Sequence, residues 1–199
     1  MTNEAEAELL KALRSDDQNL FSKAHVDISC SLTNPSNVMP VLCDILLHQS
    51  DSFRRQSAAS IIQGSMFFAK NFGVHSHSPY ATELHGQTHI PSWEEYRHRV
   101  AKRVVPSLIK ALSDSDFSVC SAAIRALIEF GPDAAPAYSA LVKVRDRRDD
   151  FFVQQWEKAK WYERVGIWLI EAWYHVDRVG DHQRLVDKAL SAIVGRDVE

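Results

Sequence analysis

The chain has 199 residues, 45% of them hydrophobic and 25% charged, with seven Gly and seven Pro, the make-up of an ordinary globular protein sparing in helix breakers. Its net charge of −3 and pI near 6.3 exclude a whole-molecule field that gathers phosphates at long range, so nucleic acid starts at a disadvantage as a partner. Cys30, Cys43 and Cys120 are odd in number and far apart, which excludes a disulfide framework and fits a reduced, cytoplasmic setting.

Met1 to Glu8 is polar and acidic, without the basic-then-apolar order of a leader. Residues 9–31 can be laid on 108–130 without a gap. Leu9, Lys11, Ala12, Leu13, Asp17, Ser22 and Ala24 match Leu108, Lys110, Ala111, Leu112, Asp116, Ser121 and Ala123. Each segment reads as a helix, an acidic turn and a second helix with small residues mid-way, and such self-similarity marks a stacked array. Another copy starts at Val38. There Val38, Pro40, Leu42 and Leu46 correspond to Val104, Pro106, Leu108 and Leu112. After a turn two residues longer, Ser57-Ala58-Ala59 corresponds to Ser121-Ala122-Ala123.

Residues 73–92 lack apolar periodicity and carry Gly73, Pro79, Gly86 and Pro91, which predicts a long inserted loop. Ser92-Trp93-Glu94-Glu95 has capping-box form and opens a helix into Ala101; Pro106 further on predicts a kink near Arg103. The pattern is sharpest from Val104 to Phe130. Val105, Leu108, Ile109 and Leu112 lie at helical spacing, as do Val119, Ala122, Ala123, Ala126, Leu127 and Phe130. Ser113-Asp114-Ser115-Asp116 between the two runs supplies capping oxygens, and Gly131-Pro132 ends the second.

A looser copy begins near Asp133, with Pro136 early in its first helix, Asp149-Asp150 at its turn and a long second helix from Phe151 to about His175. Its apolar run Val165–Trp173 is too short, and too closely flanked by charge, to span a bilayer. Asp181 to Val194 closes the chain as an amphipathic helix with one polar side, the form of a terminal cap.

A proline in the first helix (Pro40, Pro106, Pro136), an aspartate at the turn (Asp17, Asp51, Asp116, Asp150) and paired small residues in the second helix resemble HEAT repeats, in particular the short bacterial HEAT-like type. The resemblance implies an all-α chain. It would be a single-domain α-solenoid over 1–199, with about four helical hairpins, a terminal capping helix and the His-rich loop at 73–92. The family often has Val-Arg early in the second helix, where this chain has Leu20-Phe21, Arg55-Gln56, Val119-Cys120 and Val153-Gln154. A ladder of arginines to the turn aspartates is therefore expected to be missing.

In proteins similar to HEAT arrays the second helices line a concave face that holds the partner. On the wheel of 117–130 the arc left by the core contains Ser118, Ser121, Arg125 and Glu129. Its equivalents by alignment are Asn19 and Ser22, Arg54 and Ser57, and Gln155. Trp156 is a candidate anchor, within an aromatic group whose other members, Trp161, Trp168 and Trp173 among them, are expected to be sandwiched in the core. His85 and His89 have the spacing of helical metal ligands. Gly86 between them and Pro91 after them argue against a helix, so the stretch reads as a polar loop and no cofactor is expected. Arg145, Arg147 and Arg148 interleave with Asp146, Asp149 and Asp150 and neutralise one another.

No Gly-rich phosphate loop, Ser/His/Asp order or Cys/His pair stands out. These features point to a non-enzymatic protein–protein interaction module, an adaptor, scaffold or inhibitor/immunity-type binder. The alternative is a HEAT-like enzyme of the alkyl-base glycosylase kind, or one acting on a tetrapyrrole chromophore. Base excision needs a cationic groove, which 23 basic residues against 26 acidic ones do not favour.

Overall fold

The computed structural model describes residues 3–15, 17, 19–24, 35–72, 92–146 and 178–195. Among them the regular structure is all helical, with no strand. In order come α1 (Asn3–Arg14), a helical turn at 19–24, α2 (Pro35–His48), α3 (Ser52–Phe72), α4 (Trp93–Ala111) and α5 (Phe117–Phe130). A 3-10 helix (Gly131–Ala137) then runs into α6 (Tyr138–Asp146), and α7 (Arg178–Val194) completes the described chain. No described helix is long and apolar enough to cross a membrane.

One local device starts three of these helical segments. The Oδ1 of Asp17, Asp51 and Asp116 accepts from the amide two residues on, of Asn19 (2.8 Å), Phe53 (3.0 Å) and Ser118 (2.8 Å). The carbonyl of the same aspartate accepts from the amide four residues on, at Phe21, Arg55 and Cys120. Each aspartate thereby satisfies an amide that has no partner within its own helix. α4 opens on the expected capping box, with Ser92 Oγ accepting from Glu95 N–H and Glu95 accepting from Ser92 N–H. It continues through Pro106 as one element to Ala111. At its far end α5 stops at Gly131, whose φ of +52° with ψ of −128° suits a residue without a Cβ.

Beyond Gly131 the chain departs from expectation. The segment holding Pro136 is a 3-10 turn, and the α-helix begins only at Tyr138. With Pro132 and Pro136 four residues apart, two amide donors are missing from the stretch where an α-helix would need them.

The helices pair as hairpins and also side by side. α2 packs on α3 and α4 on α5, while α2 lies against α4 and α3 lies most extensively against α5. The 3-10 helix adjoins α4, and α7 packs on α5, the 3-10 helix and α6. One apolar core runs through all of these, from Leu13 and Phe21 through Leu42, Leu46, Ile61, Ile62 and Met66 to Leu108, Ile124, Phe130 and Val186. α7 thus covers α5 as well as the start of the fourth expected hairpin. The stretch 151–175, with its expected aromatic sandwich, lies outside the described residues, as does the loop at 73–91.

Cys43 and Cys120 are free thiols. Cys120 is buried, its Sγ 3.5 Å from the Leu112 carbonyl. Burial, and then the negative charge of Asp114, pushes its thiol up to about 12.

Candidate functional site

The aspartate turns set the register of the second helices, and the register decides which side chains face out. Pairing Asp51 with Asp116 places Phe53 opposite Ser118, Arg54 opposite Val119 and Ser57 opposite Ala122. The interval from Leu46 to Asp51 exceeds that from Leu112 to Asp116 by one residue, so the turn is one residue longer rather than two. That shift explains why Arg54 and Ser57 are both only 5% exposed. They occupy the places of Val119 and Ala122, which are buried as well. Ser121 is also buried, on a helix flanked by both α3 and α7.

Four of the candidate surface residues do reach solvent: Asn19, Ser22, Ser118 and Arg125. Ser118 and Arg125 are the exposed residues of α5, two helical turns apart on one side. Gln155 and Trp156, and the metal candidates His85 and His89, lie outside the described residues. No group of His, Cys, Asp and Glu side chains able to hold a metal occurs among the described residues.

Three large apolar residues outside the aligned set are also exposed; the register accounts for Phe53, opposite Ser118, but not for Leu20, which falls opposite the buried Val119. Leu20 and Phe53 are each 47% exposed and Phe67 is 46% exposed. Phe53, Ser60 and Phe67 recur every seven residues and therefore share one side of α3, roughly 21 Å from end to end. The signal for Phe53 was present in the position of Asp51, which fixes Phe53 rather than Arg54 as the partner of Ser118. Glu129 is half-buried at the edge of this region. Burial raises its carboxyl above the usual range, against the opposing pull of Lys70 and Lys188.

Behind the exposed row, two arginines join neighbouring hairpins. Arg54 donates to the Ser15 carbonyl at the end of α1, and its guanidinium stands over the Phe21 ring, 5.0 Å from the centroid. Arg55 forms a two-pronged pair with Asp114, Nε to Oδ2 at 2.8 Å and Nη2 to Oδ1 at 3.0 Å. Its Nη1 donates to the carbonyls of Gln49 and Ser50, each at 2.8 Å. The arginine-to-turn-aspartate link is thus not missing: among the described residues Arg55 reaches Asp114 across 59 residues of chain, and Arg54 lies 3.9 Å from Asp51 of its own turn. Arg55 is raised above the ordinary guanidinium value, first by its bond to Asp114. On α4, Arg97 and His98 both reach Asp133, at 2.7 and 3.1 Å. Burial alone would raise the Asp133 carboxyl, but the bonds and charges of Arg97 and His98 together hold it below its usual value.

This arrangement offers no metal cluster among the described residues. What it can offer is contact: apolar side chains and one cation on adjoining helices. No protein-family model matches the chain, and comparison with curated proteins and with solved structures gives no match either.

Proposed function

We propose that this protein is a non-enzymatic interaction module, a HEAT-like α-solenoid whose second helices hold another protein against their outward, concave side. The observation that carries the reading is the row on α3, where Phe53 and Phe67 stand nearly half exposed with Ser60 between them. Large apolar side chains held in the open on a rigid helix are the usual anchors of a protein interface, and a preformed surface loses little ordering entropy on association. Arg125 on the neighbouring α5 adds a cation that can orient the partner. The threefold aspartate turn, with α2–α3 and α4–α5 packed both as hairpins and side by side, supports the stacked-repeat architecture.

An adaptor, a scaffold or an inhibitor of the immunity-protein kind would each use such a surface, in the reducing cytoplasm that suits its free thiols. The test compares the wild-type protein with the triple substitution Phe53→Ser, Phe67→Ser and Arg125→Glu in co-purification from the native lysate with mass spectrometry. All three sites are exposed, so Tm should move by no more than a few degrees. A partner recovered stoichiometrically by the wild type and lost by the variant is expected. A partner retained equally by both would overturn the assignment of this face.

A further inference from the structure

The remaining strongly charged surface lies on a different element. α4 buries Tyr96, Val100, Val104, Val105, Leu108 and Ala111 and turns outward Arg99, Lys102, Arg103 and Lys110, all exposed. At 100° per residue these four cations fall within an arc of roughly 100°, and they extend about 16 Å along the helix. None of them pairs with an acidic group among the described residues. Two acids on or against α4 are engaged elsewhere. Glu95 accepts from the Ser92 amide, and Asp133 takes both Arg97 and His98. In a chain with 26 acidic residues and a net charge of −3, four cations on one helix face without an acidic partner among the described residues mark a segregated charge rather than a solvated mixture.

We propose that this face of α4 docks a carboxylate-rich protein segment, one long enough to present acids over three helical turns. The chemistry of the arc selects among anionic partners. Only Pro106 interrupts the cations with an apolar surface, so nothing there would enter a lipid layer. It holds no aromatic side chain on which a base could stack, and the acidic balance of the chain works against following a phosphate backbone. Carboxylates need neither. They require unpaired cations at helical spacing, and each Arg can bind one in a fork. This surface is separate from the row on α3, and the two readings stand or fall independently.

Short poly-L-glutamate is the probe, used with the full-length protein at low ionic strength. Zero-length carbodiimide coupling joins a lysine amine to a probe carboxylate, and mass spectrometry identifies which lysine reacted. Coupling is expected at Lys102 and Lys110 ahead of Lys11, Lys23, Lys70, Lys143 and Lys188. The triple variant R99E/K102E/R103E should weaken probe binding by more than about tenfold, and raised salt should do the same. The neutral version R99Q/K102Q/R103Q should fall between the two, which separates lost attraction from misfolding. Arg125→Glu should leave probe binding unchanged. Coupling spread evenly over all lysines, or unaltered affinity in both triple variants, would overturn the proposal. Tighter binding of duplex DNA or of phosphatidylserine vesicles through the same residues would overturn it as well, in favour of a phosphate ligand.

Discussion

Two junctions in this molecule take polar groups wholly or partly out of solvent, with opposite outcomes. Where the turn before α3 meets the turn before α5, Arg55 finds a partner for each nitrogen: Asp114 twice and the carbonyls of Gln49 and Ser50. Where α7 meets α5, His182 is buried against the Phe117 ring at 4.8 Å between centroids, and neither ring nitrogen has a hydrogen-bond partner. The first junction shows how a charge can be half-buried to advantage, because each of its three nitrogens has a partner and the opposing carboxylate is held in turn by the Asp116 amide at 2.8 Å. The second shows the reverse, a polar ring used as if it were an apolar one. Burial alone accounts for its lowered pKa. What separates them is satisfaction of the buried atoms, not burial itself.

Substitutions at the two junctions should therefore have opposite signs. Asp114→Ala strands the Arg55 guanidinium and should destabilise by about 3 kcal/mol, read as a lower urea midpoint. A loss below about 1 kcal/mol would mean that the two carbonyls alone suffice for Arg55. His182→Leu should do the opposite and raise stability by about 1–2 kcal/mol, since it removes two unsatisfied atoms and keeps the packing on Phe117.

The same histidine predicts a pH dependence. Its folded pKa lies below the ordinary 6.5, so at lower pH the unfolded chain takes up a proton that the folded chain refuses. Stability should decline as pH falls through about 6.5 and level off below the folded value. In His182→Leu that decline should be absent. Asp116 and Asp133 act in a separate, more acidic window. Burial raises each, but hydrogen bonds to Ser52, Ser118 and Val119 in one case, and to Arg97 and His98 in the other, hold the folded values low. Their contribution is present above about pH 4 and is lost as pH falls through the folded values. A urea-midpoint profile with a single acid step in the wild type would count against the histidine assignment.

The smallest effects belong to the turns. Alanine at Asp17, Asp51 or Asp116 should cost about 1 kcal/mol each through loss of the cap. Asp116→Ala is expected at the upper end, because its carboxylate also meets Ser52. Near-equal losses at Asp17 and Asp51 would support their equivalence as repeat positions.

Much of the helical pattern was legible in the sequence because it rests on local rules. The Ser92 box, the Asp116 cap and the Gly131 stop each need only a few neighbouring residues. Register between copies was not so readable. A one-residue difference in turn length turns Arg54 from a surface residue into a core one, and small residues such as Ser57 and Ala58 look alike in either register. The Arg55–Asp114 link was unreadable for a related reason, since the two residues are distant in sequence and become neighbours only when the hairpins pack. The cationic face of α4 was legible in Arg99, Lys102 and Arg103, but an argument from net charge averages such a patch away. His182 could not be read as unsatisfied, because that depends on what surrounds it in space.

Cys120 gives the molecule an internal clock. Thiolate is the species that reacts, and in the packed helix this sulfur is both sealed off and held protonated, its value near 12. Cys43 is only partly covered, its thiol raised by burial but eased by a hydrogen bond with Ser107. Of these two, an alkylating reagent mixed with the native protein should mark Cys43 first and reach Cys120 only in molecules whose centre has opened. The lag between the two marks would time that opening without any engineered probe.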